Sequence, residues 1–453
     1  MKLKSHLVRL VPLIASLMTA QAATHAVLPG ASIQAKINLA VAGDIVAIFG
    51  GTYNEDITIN KAIRLVEVSG QQVTLNGNVT FSGVTACPPF DGFTVGSSGR
   101  GITVTNTTGL VLRNLDARNG SGVTVTGTSV LKISDCQLSD VTAGGPSLDI
   151  SKSSLTGSVN QTAGNLIATQ IAVSGNFETQ NGAQKSVAFR TNVLGDVNLR
   201  SKRAWVGYSE ARSINFTDVS DAKLVVVGCL VDRQGAEANG IYSNVSNSQI
   251  QVVNNRIIRV GYNRGGWWEA GDGECGIDLR GGGNKAFVSN NYCQLTFYGS
   301  DNGIRGDGIY VRDFSDATII NNLIVGAKHG ISAPFGAIAK NNLYWASPWP
   351  HHREANGVVG EGTLYTDPLF IENEAPKLQA SSPCINAGTP DPRFNDRDGS
   401  RNDIGPSGGA WFDPDGWTTE NPVVISFDLS PDMVLEGVDT EVILSEGQAV
   451  SAP

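Results

Sequence analysis

The chain has 453 residues, 53 of them Gly, with 41% hydrophobic and 17% charged residues, the composition of a folded chain built on many tight turns. Lys and Arg number 33 against 42 Asp and Glu, and the net charge of −9 disfavours nucleic acid or an anionic membrane as main partner, because both reward a basic surface. A local basic patch is compatible with that total.

The first 22 residues stand apart. Lys2, Lys4 and Arg9 precede the apolar run "LVPLIASLMTA", and Ala20-Gln21-Ala22 supplies a small-x-small cleavage site. This is the pattern of a secretory signal over 1–22, so the protein is expected to be secreted, extracellular or held at the cell surface. No later stretch reaches the roughly 18 apolar residues that a membrane span requires. The chain is read as a monomer.

Next, "ASIQAKINLAV" (31–41) places Ile33, Ile37 and Ala40-Val41 on one helical face, as expected of a short helix closing the first coil of a solenoid. The strands "IVAIFGGTY", "EDITINK" and "IRLVEVSG" follow. Then a rhythm sets in. "GLVLRNLDARNG", "SVLKISDCQLSD" and "AKLVVVGCLVDR" spell it loosely, and Asn pairs beginning at 254, 290, 321 and 341 spell it plainly, at steps of 36, 31 and 20. A second series interleaves: "NGIYS", "CGIDL", "DGIYV", "HGISA" and "NGVVG", whose Gly residues 240, 276, 308, 330 and 357 step by 36, 32, 22 and 27. The two series stretch together, as one coil per period would with insertions confined to its loops.

Each period holds short alternating strands and no stretch long enough for an amphipathic helix, which excludes helical and leucine-rich solenoids and leaves a parallel β-helix. Asn is a poor residue for a strand interior but tolerates the left-handed backbone of a tight corner. Stacked one coil apart, about 4.8 Å, such side chains can also hydrogen-bond along the axis. Six Cys in an exported chain allow three disulfides, with Cys275–Cys293 the first pair to test. The favoured reading is instead that Cys136, Cys229 and Cys293 fill equivalent small apolar positions as free thiols.

The run "SIQAKINLAVAGDIVAIFGGTYNEDITINKAIRLVEVSG" resembles the cap and first coils of exported right-handed parallel β-helix proteins of the pectin-lyase-like group. "SPCINAGTPDPRFNDRDGSRNDIG" (382–405) is similar to the ending of many bacterial secreted members, departing at Cys384, Asn386 and Asn402. The resemblance spans about residues 28 to 410. It implies an all-β, right-handed parallel β-helix solenoid with an N-terminal helical cap, over 23–410, followed by a C-terminal β extension or linker over 411–453. The group holds lyases, hydrolases, epimerases and adhesins, so activity has to be argued from a site.

Superposing the "GI" strands predicts one face shared by Tyr242, Asp278, Tyr310 and Ser332, with Asn244, Arg280 and Arg312 two residues on, and the intervening Ile residues in the core. Asp278, Arg280, Tyr310 and Arg312 are expected to form one outward patch. Asp307 and His329, in the file before the Gly, should lie roughly 5 Å apart. The longest insertion, "GYNRGGWWEAGDGEC" (261–275), offers Trp267, Trp268 and Glu269 beside the patch, where aromatic faces can stack on sugar rings.

The candidate catalytic set is therefore Asp278, Arg280, Asp307, Arg312 and His329, with Trp267, Trp268, Glu269 and Tyr310 for substrate. A lyase needs a base and cations facing a uronate carboxylate, which Arg280, Arg312 and Lys328 can supply. Asp278, Asp307 and "KHG" (328–330) echo the polygalacturonase pattern only faintly, with no R-x-K triplet. The bland alternatives are a surface ion pair from Asp278 to Arg280 or Arg312, and an ordinary turn residue at His329. Asp396, Asp398 and Asp403 raise Ca²⁺ as a cofactor but lack EF-hand spacing, and Asp pairing with Arg401 is favoured. No metal site is assigned. The partner expected is an extracellular polysaccharide, cleaved by elimination or bound by a non-catalytic adhesive solenoid or a hydrolase of this fold.

Overall fold

The computed structural model describes residues 22–68, 70–236, 238–262, 274–297, 306–314, 316–333, 336–347, 349–352, 358–372, 374–418, 423–430 and 444–450. Ser32 caps the first helix, Ile33–Leu39, its hydroxyl accepting from the Ala35 amide at 3.1 Å. Ile33, Ile37 and Ala40 are buried as the helical periodicity requires. Val41 is instead exposed, because the helix ends before it and the chain turns away.

Behind this cap the strands stack in parallel through about 14 turns with almost no helix, a parallel β-helix. One file of paired residues shows the growth of the core. It runs from Ile57 and Val79 through Val123, Phe177 and Ile214 to Ile241, Ile277, Ile309 and Ile331. Every side chain just named is at most 2% exposed. A strand presents alternate residues to one side, so a single register fixes which half of each strand is core.

The opening corner device recurs at the end of the second strand of each coil. Its left-handed residue is Gly92, Asn114, Asp135, Lys152, Gln170, Arg190, Tyr208, Gly228, Asn254, Asn290, Asn321 and Asn341 in turn, with φ between 45° and 91°. The next residue forms a buried ladder. The side chain of Asn255 donates to Asn291 at 2.9 Å, Asn291 to Asn322 at 3.0 Å and Asn322 to Asn342 at 3.0 Å. The sequence reading gave one Asn both tasks, and the structure divides them: the first of each pair takes the strained backbone, the second the ladder.

Upstream, hydroxyls and thiols hold the ladder position in most coils, and apolar side chains hold it at Phe93, Leu115 and Ile171. The Thr191 amide donates to Ser209 Oγ at 3.1 Å, and Cys136 Sγ and Cys229 Sγ donate to carbonyls one coil away, as the Asn side chains do. Cys293 is not their equivalent. It lies two residues further into its coil, opposite Ile257 and Ile324 in the core. All six Cys are buried and none is in a disulfide.

The first Asn of each pair has a further task. Residues beyond the last coil double back along this corner as an irregular strap. Asn341 Nδ2 donates to Ala387 O, the Thr389 amide to Asn321 Oδ1, Asn290 Nδ2 to Asp403 O and Gly405 O, and Asn254 Nδ2 to Pro406 O and Gly408 O. A second small core forms beneath it from Tyr292, Leu323, Leu343, Cys384 and Ile404. The strap reaches Arg190, whose Nε donates to Gly416 O at 2.8 Å. An antiparallel pair, Val423–Ser430 with Leu444–Val450, follows. Among the described residues no helix is long and apolar enough to cross a membrane.

Candidate functional site

Coil length is uneven, and the unevenness points to one corner. Along the core file the steps are 18 from Val123 to Val141 and from Val141 to Val159, but 27 from Ile214 to Ile241, 36 to Ile277 and 32 to Ile309. In the three long coils the second and third strands follow the first closely, so most of the extra residues fall between the third strand and the first strand of the next coil. Long segments are thereby delivered to one edge of a rigid sheet, where sites commonly sit.

The residues at that edge form two linked groups. In the first, Asp278 pairs with Tyr242 below and Tyr310 above in register. Arg280 Nε donates to Asp278 Oδ1 at 2.9 Å and Nη2 to Oδ2 at 2.8 Å, a bidentate pair. Asn239 Nδ2 donates to the same Oδ2 at 2.8 Å, while its own oxygen accepts from the Cys275 amide. The Arg280 guanidinium lies 5.9 Å from the Tyr242 ring centre and 5.6 Å from that of Tyr310. The stacking follows the sequence expectation, but openness does not. Asp278 is 0% and Tyr310 3% exposed, because Arg280 folds back over the carboxylate and its flanking rings close the face. The ion pair is accordingly a buried one.

Burial raises the Asp278 carboxyl above its ordinary value, opposed by Arg280 and Asn239. The hydrogen bonds that Arg280 donates to Asp278 in turn hold its guanidinium more firmly protonated. Tyr310 is also raised by burial, against the pull of Arg312 and Arg280. Arg312 is the outward cation, its side chain 53% exposed against 29% for Arg280, and it pairs with Asp313 at 3.4 Å.

In the second group Asp307 and His329 are register partners, and His329 Nδ1 lies 2.7 Å from Asp307 Oδ1. Both are buried, at 3% and 8% exposure, and Asp307 Oδ2 has no hydrogen-bond partner. A carboxylate on Nδ1 fixes the orientation of the imidazole ring. His329 is thus more than a turn residue.

The Gly file behind these residues is a packing requirement. A Cβ on Gly276 would stand 2.6 Å from Gly308 O, and one on Gly308 would stand 2.7 Å from Gly330 O. The Gly therefore lets successive coils close up while their preceding residues, Cys275, Asp307 and His329, line the edge.

No family model matches the chain, and no curated protein matches it. Among solved structures it is similar to the crystal structure of pectate lyase Pel9A, 14% identical over 85% of this chain and 96% of that one, with a TM-score of 0.24. An overlap that low carries no argument here. The parallel β-helix rests on the strand registers.

Trp267, Trp268 and Glu269 lie outside the described residues. Among the described residues no group of three or more His, Cys, Asp or Glu is arranged for a metal. The strap Asp residues are instead engaged by backbone amides. Asp396 accepts from Gly409 N, Asp403 from Asn386 N and Asp398 from Ser400 N. Arg401 does not pair with them, because its guanidinium donates to Gly388 O. Asn239, which grips both Asp278 and Cys275, was placed by sequence reasoning in the file before the Gly but not counted among the site candidates. Its place before Gly240, in the file of Cys275 and Asp307, was the available signal.

Proposed function

We propose that this chain is an exported protein that binds a uronate-containing polysaccharide along the corner where the coils lengthen, and cleaves it by elimination. The Asp307–His329 pair carries the reading, since a buried carboxylate orients an imidazole at the edge that receives the insertions. His329 Nε2 accepts the proton α to the uronate carboxylate. The electron pair left on that carbon forms the double bond as the neighbouring C–O bond breaks, and the departing oxygen takes up a proton. Arg312, with Arg280 behind it, offsets charge building on the carboxylate. The signal-like first 22 residues support export.

The test is incubation with a panel of uronate polymers, with and without Ca²⁺, following the absorbance of unsaturated products. Loss of a positioned base costs about 10²–10⁴ in rate, so His329→Gln should lower turnover by about that factor. Turnover unchanged in His329→Gln would remove the assignment. A second reading, a non-catalytic surface solenoid, draws on the closed Asp278–Arg280 pair, which engages two candidate groups with each other. Binding without products would favour it.

A further inference from the structure

The chain enters its first sheet at a point where one backbone nitrogen meets a buried carboxylate. Ala23 O accepts from the Ile45 amide at 2.8 Å, which starts the pairing that Thr24–Val27 continue with Ile45–Ile48. Ala23 N stands 2.8 Å from Asp44 Oδ1. Asp44 Oδ2 accepts from the Val41 amide at 2.9 Å and lies 3.1 Å from His25 Nε2. The backbone of Asp44 is fixed as well, its amide donating to Val41 O and its carbonyl accepting from the Arg64 amide. The carboxylate is therefore held in place by the fold around it.

Asp44 is 5% exposed, and among the described residues His25 is the one ionisable side chain within ion-pair distance. A buried carboxylate is costly unless cations or several donors compensate it. Beside a histidine and a backbone amide, the third partner, Ala23 N, becomes a full cation if the bond before it is cut. That bond is the one the leader pattern marks. Ala20-Gln21-Ala22 places the cleavage after Ala22, and Ala22 and Ala23 are both exposed. Sequence and structure thus meet at one peptide bond from independent directions.

We infer that export processing cuts the Ala22–Ala23 bond and that Asp44 is the receptor for the α-ammonium so formed, so that removal of the leader locks the first strand onto the cap. In the precursor Ala23 N is an uncharged amide with one hydrogen. A peptidase of the export route adds water across the bond, leaving a carboxylate on Ala22 and an ammonium on Ala23 where it faces Asp44. The neutral hydrogen bond becomes a charge-assisted one, the stronger kind. The inference rests on reading residues 1–22 as a leader and is independent of the Asp307–His329 site.

The full-length gene is expressed with its leader in an exporting host, and the intact mass of the exported protein reads its first residue. A mass beginning at Ala23 is expected. Hydrogen exchange at neutral pH then reads the lock at the Ile45 amide, which donates to Ala23 O. Insertion of one glycine between Ala22 and Ala23 moves the ammonium a residue away and returns Ala23 N to an amide. It should speed that exchange by about 5-fold or more, the scale of one partly buried ionic contact. Asp44→Asn should speed it likewise. The insertion made on top of Asp44→Asn should add less than about 2-fold, because both changes remove the same contact. An exported protein that starts at any other residue overturns the proposal. Parent-like exchange in the insertion variant also overturns it, as does an insertion effect of full size on top of Asp44→Asn. A mass that retains residues 1–22 removes the export reading and the inference together, and is told apart from the other failures by the mass alone.

Discussion

The coils before Ile214 and those after it solve the same folding problem with different residues. Before it, steps are short and the corner is filled by whatever residue accepts a left-handed backbone, including Lys152, Gln170, Arg190 and Tyr208. The ladder position there holds small donors or acceptors at Cys136, Ser153, Thr191 and Ser209 and apolar side chains at Leu115 and Ile171. After it, the coils carry long insertions on one corner and a strap on another, and past Gly228–Cys229 the corner becomes an unbroken set of Asn pairs. A carboxamide has two donor hydrogens as well as an acceptor, so the Asn ladder links each coil to both neighbours, while a hydroxyl has one hydrogen, and Ser209 Oγ bonds back to Thr191 and Ala188 of the preceding coil. Extra load on the solenoid coincides with the stiffer ladder.

That contrast can be broken most forcefully at Asn291. Its side chain accepts from the Asn255 amide and carboxamide and donates to Val252 O and Asn322 Oδ1. Asn291→Ala leaves several buried groups without partners, and each such group costs about 1–3 kcal/mol. We expect a loss of about 3 kcal/mol or more in denaturant unfolding, against about 1 kcal/mol for Ser209→Ala in the even half. Equal losses would mean that the two ladders do the same work.

Much of the fold was legible because two features of the sequence keep time. The Asn pairs and the "GI" strands stretch together, and their columns place Asp278 beside Tyr310 and Asp307 beside His329, as the registers do. Burial was not legible. "GIDLR" offers an Asp278–Arg280 pair, but as a surface one, and nothing in it says that the pair is buried or that Asn239, far away in sequence, closes over it. The corner in the early coils was hidden for another reason. Its demand is a backbone angle, and Lys, Gln, Arg and Tyr meet that demand without advertising it. The strap was quoted as an ending, but its route along the first Asn of each pair depends on contacts of more than a hundred residues' separation, such as Asn290 with Asn402.

A smaller effect sharpens the contrast at the corner itself. Lys152 holds φ at 45°, so Lys152→Gly should relieve strain and stabilise the fold by up to about 1 kcal/mol. Asn290→Gly keeps the permitted backbone yet loses the bonds to Asp403 O and Gly405 O, and should loosen the strap to proteolysis. If both changes acted alike, the left-handed Asn would be serving conformation only.

At the capped end an expected effect lies in acid. Asp44 accepts from the Val41 amide, His25 and the Ala23 amide, which hold its carboxyl at about 2, below the ordinary 3.8. A depressed folded-state value means that its contribution is complete above pH 3.8 and fades as pH falls through about 2. Asp44→Asn should remove that acid-dependent part of stability while leaving the Asn-rich coils' response unchanged. An identical acid limb in parent and variant would assign the loss elsewhere.

Native-state hydrogen exchange tests the ladder most directly. The amides of Asn255, Asn291 and Asn322 donate to the side-chain oxygen one coil on, at 2.9 to 3.1 Å, inside a fully buried file. They should exchange only with global unfolding and rank among the slowest amides of the chain, slower than those of Thr191 and Cys136 in the even coils. Exchange of the three Asn amides by local opening, at rates matching or exceeding those of Thr191 and Cys136, would contradict the account.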